Sequence, residues 1–207
     1  MARDRDLSRR DFLSLGALFG RDEPAPEPDD ARPRDVSELP IPAQAPPRRN
    51  AIPLHRPPGA VEEGLFLDRC TRCNDCATAC PHHAIAPAGQ RMRHAAGTPV
   101  INAAEAPCRL CEDWPCIEAC PTKALVKDIP VRMGTASIKR VDCLAYQHQI
   151  CTVCYEHCPV EGAIRIEEGK PVIDADTCTG CGICVHVCPA PLNAVLFVPE
   201  LMRPAEP

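Results

Sequence analysis

Four times along this chain a cysteine-rich loop closes on the pattern C-x3-C-P, and no other feature constrains the fold as tightly. The first copy reads CTRCNDCATACP (70–81) and the second CRLCEDWPCIEACP (108–121). The third is CLAYQHQICTVCYEHCP (143–159) and the fourth CTGCGICVHVCP (178–189). Copies one and four share C-x2-C-x2-C-x3-C-P spacing. Copy two carries two extra residues before its third cysteine, and copy three five extra before its second. These loops hold all 16 cysteines of the 207-residue chain. A short aliphatic segment follows each Cys-Pro, so the repeat extends beyond the loops themselves.

Dense cysteine suits a disulfide framework, zinc or an iron–sulfur cluster. Structural zinc takes four ligands, normally as two knuckles with a longer spacer between them. Here three thiols crowd each loop and a fourth follows one helical turn later. Adjacent C-x2-C pairs in fours also do not read as a secreted disulfide staple. The spacing is instead the bacterial-type iron–sulfur run, in which the fourth cysteine crosses to the cluster of another motif. Proline then stops the turn, because it cannot continue a helical hydrogen-bond ladder.

The predicted ligands are therefore Cys70, Cys73, Cys76 and Cys80, then Cys108, Cys111, Cys116 and Cys120, then Cys143, Cys151, Cys154 and Cys158, then Cys178, Cys181, Cys184 and Cys188. At four thiols per cube they account for four [4Fe–4S] clusters. A [3Fe–4S] cluster would suit the wide loop of copy three, yet every thiol needed for a cube is present there. His82, His83, His148, His157 and His186 lie near the motifs, but cysteine fills each ligand slot, so they are read as ordinary polar residues. Trp114 is read as an apolar cover over a cluster, limiting solvent access.

Composition supports metal as a fold determinant. The chain has 25 Pro but only 4 Phe, 2 Tyr and 1 Trp, too few aromatics for a large side-chain core. Ligand binding would supply folding free energy in its place. A formal net charge of −5 argues against a nucleic-acid partner. The expected class is α+β, with two ferredoxin-like 4Fe-4S modules built of short β-hairpins and one- to two-turn helices, after a disordered Pro-rich tail. The clearest hairpin is AIRIEEGKPVIDADTC, where alternation in 163–166 and a turn glycine precede a return strand.

The predicted organisation is an N-terminal peptide (1–20), a Pro-rich linker (21–62), the four-motif body (63–200) and a C-terminal tail (201–207). In the first segment, SRRDFL resembles a twin-arginine export signal. The apolar stretch after it runs only from Phe12 to Gly20. That is short for a secretory core and far too short to span a bilayer, so cytoplasmic retention is expected over periplasmic export. Residues 24–60 hold eleven prolines and little periodicity and read as an extended linker, and residues 1–60 as a whole are expected to contribute nothing to cluster binding.

No dinucleotide fingerprint or P-loop is present, and no room remains for a substrate domain, so the chain reads as an electron carrier and not as an enzyme. Across residues 65–198 it resembles the ferredoxin-type proteins of periplasmic nitrate reduction and methylamine utilisation, the NapG/MauM group. CRLCEDWPCIEACP, MGTASI (133–138) and the stretched third motif carry the resemblance. It implies electron flow from a quinol-linked membrane subunit toward a partner oxidoreductase, or help in maturing such an enzyme. Members of that group typically carry a twin-arginine signal, from which the short apolar stretch here departs.

Two pairings of the motifs are open. Adjacent pairing (one with two, three with four) follows chain order. Nested pairing (one with four, two with three) would let GLFL before Cys70 pair with AVLFV after Cys188. The second motif resembles that of four-cluster subunits of molybdenum oxidoreductases, where nesting is the rule, and nesting is the expectation. It would place Cys188 with Cys70, Cys73 and Cys76, Cys80 with Cys178, Cys181 and Cys184, Cys158 with Cys108, Cys111 and Cys116, and Cys120 with Cys143, Cys151 and Cys154.

Overall fold

The computed structural model describes residues 54–205. The N-terminal peptide, most of the Pro-rich segment and the last two residues lie outside the described residues. The rest is a small α+β body of short elements, each tied to a cysteine loop.

Helix α1 (Glu63–Arg69) precedes the first motif, with the Glu62 carboxylate accepting from the Leu65 amide at its N-terminus. Four shorter helices sit within the motifs: α2 (Asp75–Ala79), α3 (Pro115–Glu118), α4 (Val153–Glu156) and α5 (Ile183–Val187). Each occupies the x3 step between a third and a fourth cysteine. Each ends at or just before that fourth cysteine because proline follows, and proline biases its predecessor toward extended backbone. Cys80 and Cys188 adopt that extended conformation.

Six strands make three two-stranded antiparallel sheets among the described residues. β1 (Ile85–Pro87) pairs with β2 (Pro99–Ile101), and β4 (Ile164–Glu167) with β5 (Lys170–Ile173). The β4–β5 hairpin turns on Glu168 and Gly169, both at positive φ. This is the primed two-residue turn whose twist matches the strands, and the predicted hairpin is present. β3 (Gly134–Ile138) pairs with β6 (Val195–Pro199) in the register Gly134↔Pro199 to Ile138↔Val195. The apolar segment after Cys188 thus pairs with the one before Cys143. It does not pair with GLFL, which is helical as part of α1.

The first two motifs repeat this plan with less backbone. β1–β2 is the hairpin between them, as β4–β5 is between motifs three and four. The outer pair shrinks to a single bridge, Ala60↔Leu125. Val61 N–H donates to Ala124 C=O, and Val126 N–H donates to Gly59 C=O at 2.8 Å. The aliphatic residue after each Cys-Pro accordingly enters a strand or bridge: Ile85, Leu125, Ile164 and Val195.

Two segment boundaries move. Residues 54–61 are buried throughout and belong to the body, not to a linker. Arg56 is fully buried, bonded to Thr98 Oγ1 (2.7 Å) and the Pro99 carbonyl (2.9 Å), and paired with Glu63. Its guanidinium lies 4.4 Å from the Phe66 ring centroid. At the other end, Arg203 also reaches Glu63 (3.1 Å) and the Leu54 carbonyl (3.1 Å). Glu62 N–H donates to Pro204 C=O at 2.9 Å. The segment read as a C-terminal tail is therefore fastened to the N-terminal strap. One carboxylate shared by two buried arginines explains why neither charge is left unpaired.

Candidate iron–sulfur centres

Each loop begins by turning the chain through left-handed backbone. Arg72 and Asn74 adopt positive φ in the first motif, Leu110 and Trp114 in the second, Gly180 and Gly182 in the fourth. One such residue stands directly before the second cysteine and another two residues before the third. For non-glycine residues this costs about 1 kcal/mol or more each, and it persists where surrounding structure demands it. The result is a loop wrapped round its own centre with three thiols facing inward. In the third motif a 3-10 turn, Leu144–Gln147, followed by left-handed His148, absorbs the extra residues.

The inward thiols meet the crossing fourth cysteine of the neighbouring motif, and sets of four line four cavities. One is lined by Cys70, Cys73, Cys76 and Cys120. The next has Cys80 with Cys108, Cys111 and Cys116. In the second half, Cys158 joins Cys178, Cys181 and Cys184, while Cys188 joins Cys143, Cys151 and Cys154. All sixteen predicted cysteines are thus brought together, four to a cavity, and motif three supplies its full share.

This is adjacent pairing, and the nested expectation is overturned. The x3 turn sends the fourth thiol out of its own loop, but chain connectivity decides which loop receives it. The hairpin β1–β2 folds motif one back on motif two, and β4–β5 folds motif three back on motif four.

Electrostatics couple the thiols within each set and to those of the neighbouring set. Burial pushes the Cys76 thiol up to about 11, helped by Cys120, Cys70 and Cys73. Cys116 is pushed up to about 12 by burial, then by Cys108, Cys80 and Cys76. Cys184 likewise reaches about 12 through burial and the thiols of Cys181, Cys178, Cys154 and Cys158. Crowded, desolvated thiols resist ionisation unless a cation compensates, so metal loading here expels protons.

Among the described residues, no group of three or more His, Cys, Asp or Glu side chains is arranged to hold a single metal ion. The thiols ring cavities and do not converge on a point. That geometry fits a polynuclear cluster and does not fit zinc. The histidines behave as expected where their bonds are seen: His157 Nδ1 lies 2.9 Å from the Val153 carbonyl and His186 Nδ1 3.0 Å from that of Ala104. Trp114 and His82 both line the Cys80 cavity, so Trp114 covers it as anticipated.

Pro58 lines that same cavity, which sequence reasoning missed. A proline-rich stretch carries no ligand signal, yet its backbone supplies the outer strand of the first half. The two halves meet at the cysteines themselves. Cys108 N–H donates to the Cys181 carbonyl at 3.0 Å. His55 Nε2 lies 3.0 Å from the Gly180 carbonyl, and since a carbonyl only accepts, Nε2 carries the proton. The cavities therefore form a row. The x3 turns join outer to inner within each half, and the Cys108–Cys181 bond joins inner to inner.

Family models match the first two motifs together and the fourth by itself. Residues 69–124 match a 4Fe-4S dicluster domain and residues 169–190 a 4Fe-4S binding domain. The chain is 38% identical over 168 residues to the ferredoxin-type protein NapG of Escherichia coli, covering 73% of each. It is 39% identical over 159 residues to the methylamine utilization ferredoxin-type protein MauM of Methylorubrum extorquens, covering 70% of this chain and 72% of that one. This chain belongs to the NapG/MauM family of ferredoxin-type proteins. It is also 31% identical over 144 residues to the ferredoxin-type protein NapF of Escherichia coli, covering 65% of this chain and 79% of that one. As a NapG/MauM-type protein it is an iron–sulfur protein of electron transfer, which accounts for thiols gathered around cavities.

Proposed function

We propose that the sixteen cysteines hold four [4Fe–4S] clusters, one per cavity, in two ferredoxin-like modules, and that the chain conducts single electrons between a quinol-linked donor subunit and a partner oxidoreductase. A bound cluster supplies the one-electron chemistry; the chain supplies order and insulation. The Cys108–Cys181 hydrogen bond carries this reading, because it turns two pairs of sites into one continuous row. Cys73, the one exposed cysteine of the sixteen, marks one end of the row as a place for a partner. Among the described residues no helix is long and apolar enough to cross a membrane, so a membrane-bound donor would be a separate subunit.

The same exposed thiol favours a second reading, donation of a cluster to a maturing partner enzyme. Anaerobic purification with the native partner, iron and sulfide analysis and an EPR-monitored titration test both. About sixteen iron, reduced and reoxidised without loss, supports the carrier. Transfer of about four iron to the partner's apo form, with the remainder retained, supports donation. Half the iron, or stoichiometric zinc, would sink both. We place the protein in the cytoplasm on its nine-residue apolar stretch from Phe12 to Gly20. Export of a reporter fused to residues 1–60, abolished when Arg9 and Arg10 become lysine, would overturn that placement.

A further inference from the structure

Thr179 stands between Cys178 and Cys181 and lines their cavity. Its Oγ1 is wholly out of solvent and has no hydrogen-bond partner in the protein. Such an atom needs an explanation, because an unmet buried hydroxyl costs about 1–3 kcal/mol.

The loop cannot relieve this by moving. Thr179 C=O accepts from Met133 N–H at 2.9 Å, and Cys181 C=O accepts from Cys108 N–H. Gly180, at φ +74°, is held by His55, and a Cβ there would stand 2.4 Å from the Gly134 backbone. With main-chain bonds on both sides and close packing at Gly180, the backbone that carries the hydroxyl is fixed in place. No cysteine sulfur answers it either, and the cavity that Thr179 lines is the remaining source of a partner.

We infer that the Thr179 hydroxyl donates a hydrogen bond to a sulfur of the cluster bound by Cys158, Cys178, Cys181 and Cys184, and so raises that cluster's reduction potential above what the thiolates alone would set. The direction follows from charge. Reduction adds one electron to the cluster, the sulfurs become more negative, and a donor aimed at them stabilises the reduced form. Hydrogen bonds to sulfur are among the features that set such potentials. No other motif has an equivalent directly after its first cysteine: Arg109 fills that position in the second motif and Leu144 in the third, and Thr71 of the first is exposed. This site borders the Cys108–Cys181 junction, so a raised potential would make it the place where an electron supplied by a quinol-linked donor pauses between halves.

The inference rests on the cavity holding a [4Fe–4S] cluster, and iron analysis tests that separately from the potential. Thr179→Val keeps shape and removes the donor; Thr179→Ser keeps the donor. In EPR-monitored titration with dithionite, Thr179→Val should move one midpoint negative and leave the others in place. A tenfold weaker reduction equilibrium would appear as about 59 mV for one electron. Thr179→Ser should stay at the wild-type value. If Thr179→Val loses a cluster while Thr179→Ser keeps all four at unshifted potentials, the hydroxyl contact is again supported. Full iron with unmoved potentials in Thr179→Val would overturn the inference. Equal shifts, or equal iron loss, in both variants would overturn it too, since size and not the hydroxyl would then matter.

Discussion

The two halves of this molecule follow one plan with unequal means. In the second half, a five-residue ladder of β3 and β6 closes the outside, and a two-residue turn joins β4 to β5. In the first, a single bridge at Ala60 and Leu125 closes the outside, and residues 88–98 connect β1 to β2. The loops differ likewise. In the second half Gly180 and Gly182 take left-handed backbone at little steric cost and only His148 of its loops takes it against preference, whereas Arg72, Asn74, Leu110 and Trp114 of the first half all do. The second half is thus built mostly from local backbone preference. The first half depends on parts brought from elsewhere: the 54–61 strap, the Arg56–Glu63–Arg203 network and the cluster sites themselves.

The strap gives the largest test of that asymmetry. A chain beginning at Glu62 loses the bridge, Pro58 from a cavity wall and Arg56 from the buried network. It should lose about eight iron or more, with the first-half clusters going first. A chain beginning at Asn50 should keep its full content. Anaerobic iron analysis of both decides the matter; full iron in the shorter chain would mean the first half closes without its outer strand.

Paired cysteine variants differ from each other by about half as much, about four iron. Cys80 and Cys116 line one cavity, so changing both to alanine should remove about four iron. Cys116 and Cys158 line different cavities, so that pair should remove about eight. Nested motifs would invert the two results. The comparison therefore separates the two schemes by iron content alone.

These features were unequally legible in the sequence. The sixteen thiols, the one-turn helices before each Cys-Pro and the β4–β5 hairpin follow from local rules of spacing and turn chemistry. The pairing does not, because the x3 step fixes the direction in which a thiol leaves its loop and not the loop it enters. The strap was hidden for a different reason. Its role is carried by main-chain groups at Gly59 and Val61, while Pro57 and Pro58 beside them gave a composition typical of linkers. One signal was available: Ala60 stands before Cys70 at nearly the distance at which Gly134 stands before Cys143. Extending the internal repeat backwards would have placed an outer strand there. Arg203 had no comparable mark, since its partners Glu63 and the Leu54 carbonyl lie at the far end of the chain.

The smallest effect concerns His55, through which the first half grips the second. Its ring stacks on Phe197 with centroids 4.0 Å apart, and its Nε2–H holds the Gly180 carbonyl. Burial lowers its pKa to about 4; the Gly180 carbonyl opposes that shift and Arg203 adds to it. The folded value lies below the unfolded one of about 6.5, so the unfolded chain binds more protons between the two. The stability that neutral His55 contributes is complete above about pH 6.5 and is lost as pH falls toward about 4, at no more than about 1.4 kcal/mol per pH unit. His55→Gln should be less stable than wild type at pH 7.5, because it forfeits the ring contact. It carries no such titration, however, so the gap should narrow steadily down to about pH 4.5. Denaturant midpoints, followed anaerobically by cluster absorbance across that range, give the measurement. A gap that stays constant with pH would show that protonating His55 costs the junction nothing, and that the two halves are held chiefly by the Cys108–Cys181 bond and the packing of Gly180 on Gly134.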